Sequence, residues 1–262
     1  MVLGLFTSRR REKLRNEAAP DVWVAILQRN FPLFNRMSAE DKRELLGHVS
    51  VFLDEKYFEG AGGLDMNDEI RVTIAAQACL LLMHRETDYY PNLTTVIVYP
   101  TGYTAQETRY LGAGLWEEGP EDRIGHTAHN LRALVIAWDA VLYGARDPAD
   151  GHNVVFHEFA HQLDFENRSA DGIPDLNTRA DYHSWSTIMS QEFARLRESI
   201  PYQYDGLIDI YGAQNPTEFF AVATETFFER PRALKQKHPE LYTVLSNFFR
   251  QEPVTYSAEV IE

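Results

Sequence analysis

The sequence predicts an α+β fold, a small mixed sheet packed by helices. Three observations carry this expectation. Stretches with helical apolar spacing occupy both ends of the chain, two short β-branched runs lie between them, and strands do not alternate regularly with helices as in a parallel α/β sheet. The 262 residues are 44% hydrophobic and 24% charged, which excludes a disordered or collagen-like polymer and allows a core that needs no staples. The one cysteine, Cys79, excludes an intramolecular disulfide and a cysteine-rich zinc module; its apolar setting over 75–83 reads as core.

Residues 1–19 are expected to be a basic flexible tail, residues 20–254 one domain, and residues 255–262 a second short tail. Residues 21–58 read as helical, opened by Val22, Val24, Ile26 and Leu27, broken at Phe31-Pro32 and restarted by an N-cap at Ser38 with Asp41 three residues on. The glycines at 60, 62 and 63 mark a break, after which 66–85 resumes as a long apolar helix. Residues 94–99 (TTVIVY) form a strand that Pro100 ends, 101–130 read as loop, and 134–138 (LVIAW) form a second strand. Asn153 or Asp150 caps the next helix. Trp185, Ile188, Met189, Phe193, Leu196 and Ile200 make one stripe over 182–200. Asn215-Pro216 starts another helix, Pro239 starts the last, and Pro253 closes it off.

The formal charge is −14, and the first fifteen residues carry +4, so the remainder carries −18. An acidic surface argues against direct nucleic-acid binding, which needs clustered Lys and Arg. The N-terminus lacks the apolar region of a signal peptide, and no stretch approaches the roughly 20 apolar residues that span a bilayer. A cytoplasmic protein without stable membrane insertion is expected.

The chemistry lies in 154–164, VVFHEFAHQLD, which holds His157-Glu158-x-x-His161. Residues four apart on a helix lie about 40° apart in projection, so both imidazoles can face one metal ion, while Glu158 on the flank can reach a water activated there. Apolar residues at 154–156, 159, 160 and 163 bury this helix, and buried imidazoles need partners. Such catalytic zinc sites take three protein ligands and leave one position open. The extended pattern with Gly and His at 164 and 167 is not met, since Asp164 and Asn167 stand there, so the third ligand must come from downstream. Glu218 is a candidate, although Asn215-Pro216-Thr217-Glu218 is equally a capping box; Glu225 and Asp164 compete with it. Asp164, three residues beyond His161, could accept that ring's second N–H. His126, His129, His152 and His183 have no partners at diagnostic spacing and read as structural or surface residues.

HEFAHQLD followed by YGAQNPTEFFAVATETFF resembles the Mlc titration factor family of glucose-regulated bacterial metallopeptidases and, more distantly, the catalytic domain of anthrax lethal factor. The match is specific over 133–228 and loose over 20–132. The resemblance implies a zincin-like metallopeptidase with one Zn2+ per chain, ligated by His157, His161 and Glu218. It also implies Glu158 as general base, and Tyr211, seven residues before Glu218, at the metal. It implies aminopeptidase-like cleavage of a peptide or protein substrate, with the strand at 135–138 expected as the sheet edge that receives it. It also raises one rival, a regulatory binding protein that sequesters a sugar-responsive transcriptional repressor of the Mlc type; a second rival, apart from the resemblance, is a zinc hydrolase acting on an amide that is not a peptide.

Overall fold

A computed structural model describes residues 2–112, 115–123, 125–128, 132–202 and 204–257. Five helices come first: α1 (Val2–Asn16), α2 (Asp21–Asn30), α3 (Pro32–Arg36), α4 (Ala39–Glu55) and α5 (Asp68–Leu80). Pro32 ends α2 and starts α3, because proline lacks the amide that a continuing helix would use. Ser38 Oγ accepts the Asp41 amide at 3.0 Å and caps α4; the Asn67 side chain caps α5. Helix α5 is buried from Ile70 to its end apart from Arg71, but it stops at Leu80, short of the expected 85. Cys79 is buried within it, and burial pushes its thiol pKa up.

The segment expected as a flexible tail is helical and docked. Arg11 of α1 donates to Glu55 at 2.7 Å and to Asp88 at 2.6 Å. Gly47 of α4 lets the two backbones meet, since a Cβ there would stand 2.8 Å from the Arg15 carbonyl oxygen. The arginines that look like a loose basic run are thus partly used against the acidic body. The 3-10 turn Pro253–Thr255 and the Arg36 bond to the Ser257 carbonyl at 3.0 Å tie down the other end; residues 258–262 lie outside the described residues.

The sheet has the order β1 (Tyr57–Gly60), β2 (Thr95–Tyr99), β6 (Ala133–Ala137), β5 (Gly125–Ala128). β1, β2 and β6 are parallel, and β5 pairs antiparallel with β6. The fold is therefore α+β with a mixed sheet. Three expectations need correction. Much of 101–130 is not loop: β3 (Tyr103–Gly112) and β4 (Leu115–Arg123) pair as an antiparallel ladder, and β5 follows. Residues 57–58 belong to β1 rather than to a helix. The strand at 133–137 is not an edge, because β5 lies beyond it. All five of its residues are buried, and an unbroken apolar run marks a strand covered on both faces.

The remaining helices are α6 (Trp138–Arg146), α7 (Val154–Asp164), α8 (Arg179–Ser199), α9 (Pro216–Glu229), α10 (Pro231–Lys237) and α11 (Pro239–Phe249). α6 begins directly at the end of β6, and it and α10 have no counterpart in the sequence reading. Thr178 and Asp181 form a full capping box on α8. α7 sits in the core: Phe156 packs on Phe228 at 5.3 Å and on Phe31, while Phe159 packs on Tyr90 at 4.9 Å and on Phe52.

Gly47→Val should push α1 off α4. Limited trypsin digestion is expected to cut after the arginines at 9–15 several-fold faster than in the unsubstituted protein, and an unchanged rate would show that α1 does not depend on this contact.

Candidate metal centre

Helix α7 starts under strong constraint. The Asn153 side chain accepts the amides of Val155 and Phe156 at 3.0 and 3.1 Å, the N-cap that the sequence offers. Its own Nδ2 donates to Gln77 Oε1 of α5 at 2.9 Å and to Glu229 Oε1 of α9 at 3.1 Å. Glu229 Oε2 accepts the Gly151 amide, and Glu225 Oε2 accepts the Asn153 amide at 2.6 Å. Helix α9 thus presents Glu218, Glu225 and Glu229, spaced by seven and four residues and so within about 40° of one another around the helix, toward α7. The rest of that helix is apolar or small apart from Thr217, Thr224 and Thr226.

The stripe places His157 between two carboxylates. Its Nδ1 is 2.8 Å from Glu225 Oε1 and its Nε2 is 3.0 Å from Glu218 Oε2. His161 Nε2 lies 3.3 Å from the same Glu218 oxygen and 3.1 Å from His157 Nε2. Asn215 caps α9 by accepting the Glu218 amide at 3.0 Å, but the Glu218 carboxylate turns to the two imidazoles instead of back to the cap, so only one half of the expected capping box forms. Zinc bonds of about 2.0–2.1 Å would put neighbouring tetrahedral ligands roughly 3.3 Å apart. Three donor atoms separated by 3.0, 3.1 and 3.3 Å fit that spacing, and His157, with Nδ1 turned to a carboxylate, has Nε2 left for an ion.

The electrostatics follow from this crowding. Burial works against a charged His157, but the bonds to Glu218 and Glu225 outweigh it and raise its pKa to about 10. Burial also opposes ionisation of Glu218, yet both imidazoles hold it down at about 2. Glu158 is 5% exposed, and desolvation raises its carboxyl above the usual range against the pull of His161 and His157. Tyr211 sits in the 3-10 turn Ile210–Ala213, its amide held by Asp209, with its half-exposed ring 5.8 Å from that of His157.

Asp164 does not take its expected place. Its Oδ2 accepts the Gly172 amide at 3.0 Å, and neither its Oδ1 nor His161 Nδ1 has a hydrogen-bond partner among the described residues. Gly172, at φ +77°, lies so close to the first turn of α9 that a Cβ would meet the Pro216 carbonyl oxygen at 2.5 Å; its own carbonyl accepts the Trp185 indole N–H. Asp164 therefore pins this loop, and the carboxylate that orients one of the two facing imidazoles is Glu225, on His157. The sequence offered a signal for it, a carboxylate seven residues from Glu218 on a largely apolar helix. Of the other histidines, His152 faces Asp209 at 3.5 Å, His183 is exposed, His126 falls in β5, and His129 lies outside the described residues. A second group, Asp41, Glu44 and His84, is an ion-pair cluster: the two nitrogens of His84 face different carboxylates at 3.2 and 2.9 Å, and one ring cannot aim both at one ion.

The profile of a family described as glucose-regulated metallo-peptidase M90 matches residues 5–250. An uncharacterized protein of Synechocystis is 36% identical over 245 residues, covering 94% of this chain and 89% of its own. Proteins named Mlc titration factor A from Serratia proteamaculans and Yersinia pestis are 26% and 27% identical, covering 85% and 86% of this chain and 85% and 83% of theirs.

Glu225→Ala should leave the three facing donors in place but free the His157 ring, weakening zinc binding by about 10- to 100-fold in a competitive chelator titration. Unchanged affinity would remove Glu225 from the site. Binding at Nε2 must also displace a proton from His157. Zinc uptake near pH 7 should therefore release about one proton from this ring, and apparent affinity should rise with pH toward about 10. Calorimetry in buffers of different ionisation enthalpy reads the release, and identical heats in all of them would contradict it.

Proposed function

Because the chain belongs to the glucose-regulated metallopeptidase M90 family, we propose that it is a zinc-dependent, zincin-like peptidase with His157, His161 and Glu218 as the metal ligands. The observation that carries this reading is the convergence of two imidazoles and a remote carboxylate at tetrahedral spacing, with Glu158 buried on the same helix. Zinc at these three donors would supply a Lewis acid that polarises a scissile carbonyl and lowers the pKa of water toward about 7.

The chain's own residues do the rest. Glu158 takes the proton of the attacking water and returns it to the leaving amine; its raised pKa suits a group that must both accept and give a proton near neutrality. Glu225 holds the His157 ring in the tautomer that leaves Nε2 for the metal. Tyr211, beside His157 and open to solvent, donates its hydroxyl to the oxyanion that develops on the carbonyl, a contribution of about 3 kcal/mol in comparable sites. An extended peptide lies along β5, which ends the sheet among the described residues and borders α7. We assign a free N-terminus as the preferred substrate end, which makes the activity aminopeptidase-like.

A second reading has support of its own. Two of the relatives are named for titration of Mlc, and that favours a regulatory role in which this chain binds a transcriptional repressor of that type, in the cytoplasm. Among the described residues no helix is long and apolar enough to cross a membrane.

Glu158→Gln separates the readings. Zinc content should be unchanged, and hydrolysis of an unblocked peptide should fall by about 10²- to 10⁴-fold. Hydrolysis at the original rate by the zinc-loaded variant would overturn the peptidase mechanism, and repressor capture retained by the inactive variant would establish binding apart from cleavage. An N-acetylated peptide cleaved as fast as its free counterpart would rule out the aminopeptidase preference.

A further inference from the structure

Away from the metal centre, a cavity of about 280 Å³ opens between α8, α11 and the loop that follows α7. Leu176 and Val244 contribute apolar wall, and Arg85 and Arg250 both reach its lining. Arg85 is unusual. Its guanidinium carbon lies 4.3 Å from the centre of the Phe248 ring, and its Nη1 is buried without a hydrogen-bond partner among the described residues. Burial acts to lower its pKa, and Glu166 and Asp175 offset this only through space. A part-buried cation with an unused donor is unfavourable unless something completes it.

The acidic groups around the cavity do not complete it. Asp181 accepts the amide and hydroxyl of Thr178 in the α8 cap, Asp175 accepts the Tyr182 hydroxyl at 2.9 Å, and Glu86 is exposed. What fits an arginine on the cavity wall is a planar acceptor, because the guanidinium fork matches a carboxylate in both shape and charge. What fits the rest of the wall is an apolar body. We propose that this cavity binds a small organic carboxylate, its acid group on Arg85 and its apolar part against Leu176 and Val244. The inference does not rest on the peptidase reading.

Calorimetric titration of the full chain with 3-phenylpropionate is expected to show saturable binding, with 3-phenylpropionamide weaker by at least about tenfold, the worth of one charge-assisted pair. Arg85→Met keeps the length and loses the charge; it should weaken the acid by the same factor and leave the amide unchanged. Ser184→Phe, at an exposed lining position, should weaken both ligands. If Gly-Gly-Phe competes with the acid, the natural carboxylate is a peptide C-terminus; if it does not, a free small acid is the ligand. Equal binding of acid and amide, no binding of the acid up to roughly 10 mM, or full affinity in Arg85→Met would overturn the proposal. Should Arg85→Met fail to fold, the acid–amide comparison and Ser184→Phe decide the matter.

Discussion

His157 stands between two carboxylates of a single helix, and the rest of the site depends on that grip. Glu218 meets its Nε2 and Glu225 its Nδ1, so one face of α9 sets both where the imidazole points and which nitrogen is left for an ion. Carboxylates this deeply placed are unfavourable unless each has a partner. Here each has one: Glu218 the two imidazoles, Glu225 His157 and the Asn153 amide, Glu229 the Asn153 side chain and the Gly151 amide. The same contacts that satisfy α9 therefore anchor the first turn of α7, and the candidate metal centre and the N-cap of its principal helix form one network.

The aromatic core makes that network stiff. Phe156 and Phe159 alternate with the functional positions of α7 and lock against Phe228, Phe31, Phe52 and Tyr90, so the helix cannot rotate its histidines away without breaking close-packed contacts. Asp164 and Gly172 close the other side by holding the loop after α7 against the first turn of α9, two residues before Glu218. Tyr211 is the exception. Its ring is half exposed on a short turn, outside this packing.

Much of this was legible in the residues. Local signals mark the cap at Ser38, Asn153 as one of two caps for α7, the break at Pro32, the proline starts at 216 and 239, and the strand at β2, because each depends on interactions within a few residues. Where the reading failed, partners were distant in sequence. The arginines of α1 looked solvated because Glu55 and Asp88 are 44 and 77 residues from Arg11. β6 reads as an edge because β5, its outer neighbour, lies in a stretch whose composition resembles a loop.

The sequence by itself determined the spacing of His157, Glu158 and His161 on an apolar helix, since a helical period needs no tertiary information. It also singled out a short set of downstream carboxylates. Only the tertiary structure decided how those acids divide the work, with Glu218 at the two imidazoles, Glu225 behind His157 and Asp164 on the Gly172 loop. The reason is geometric: which of several similar side chains reaches a given nitrogen is set by how α7 and α9 pack across about 60 to 70 residues of intervening chain, and no local pattern encodes that packing.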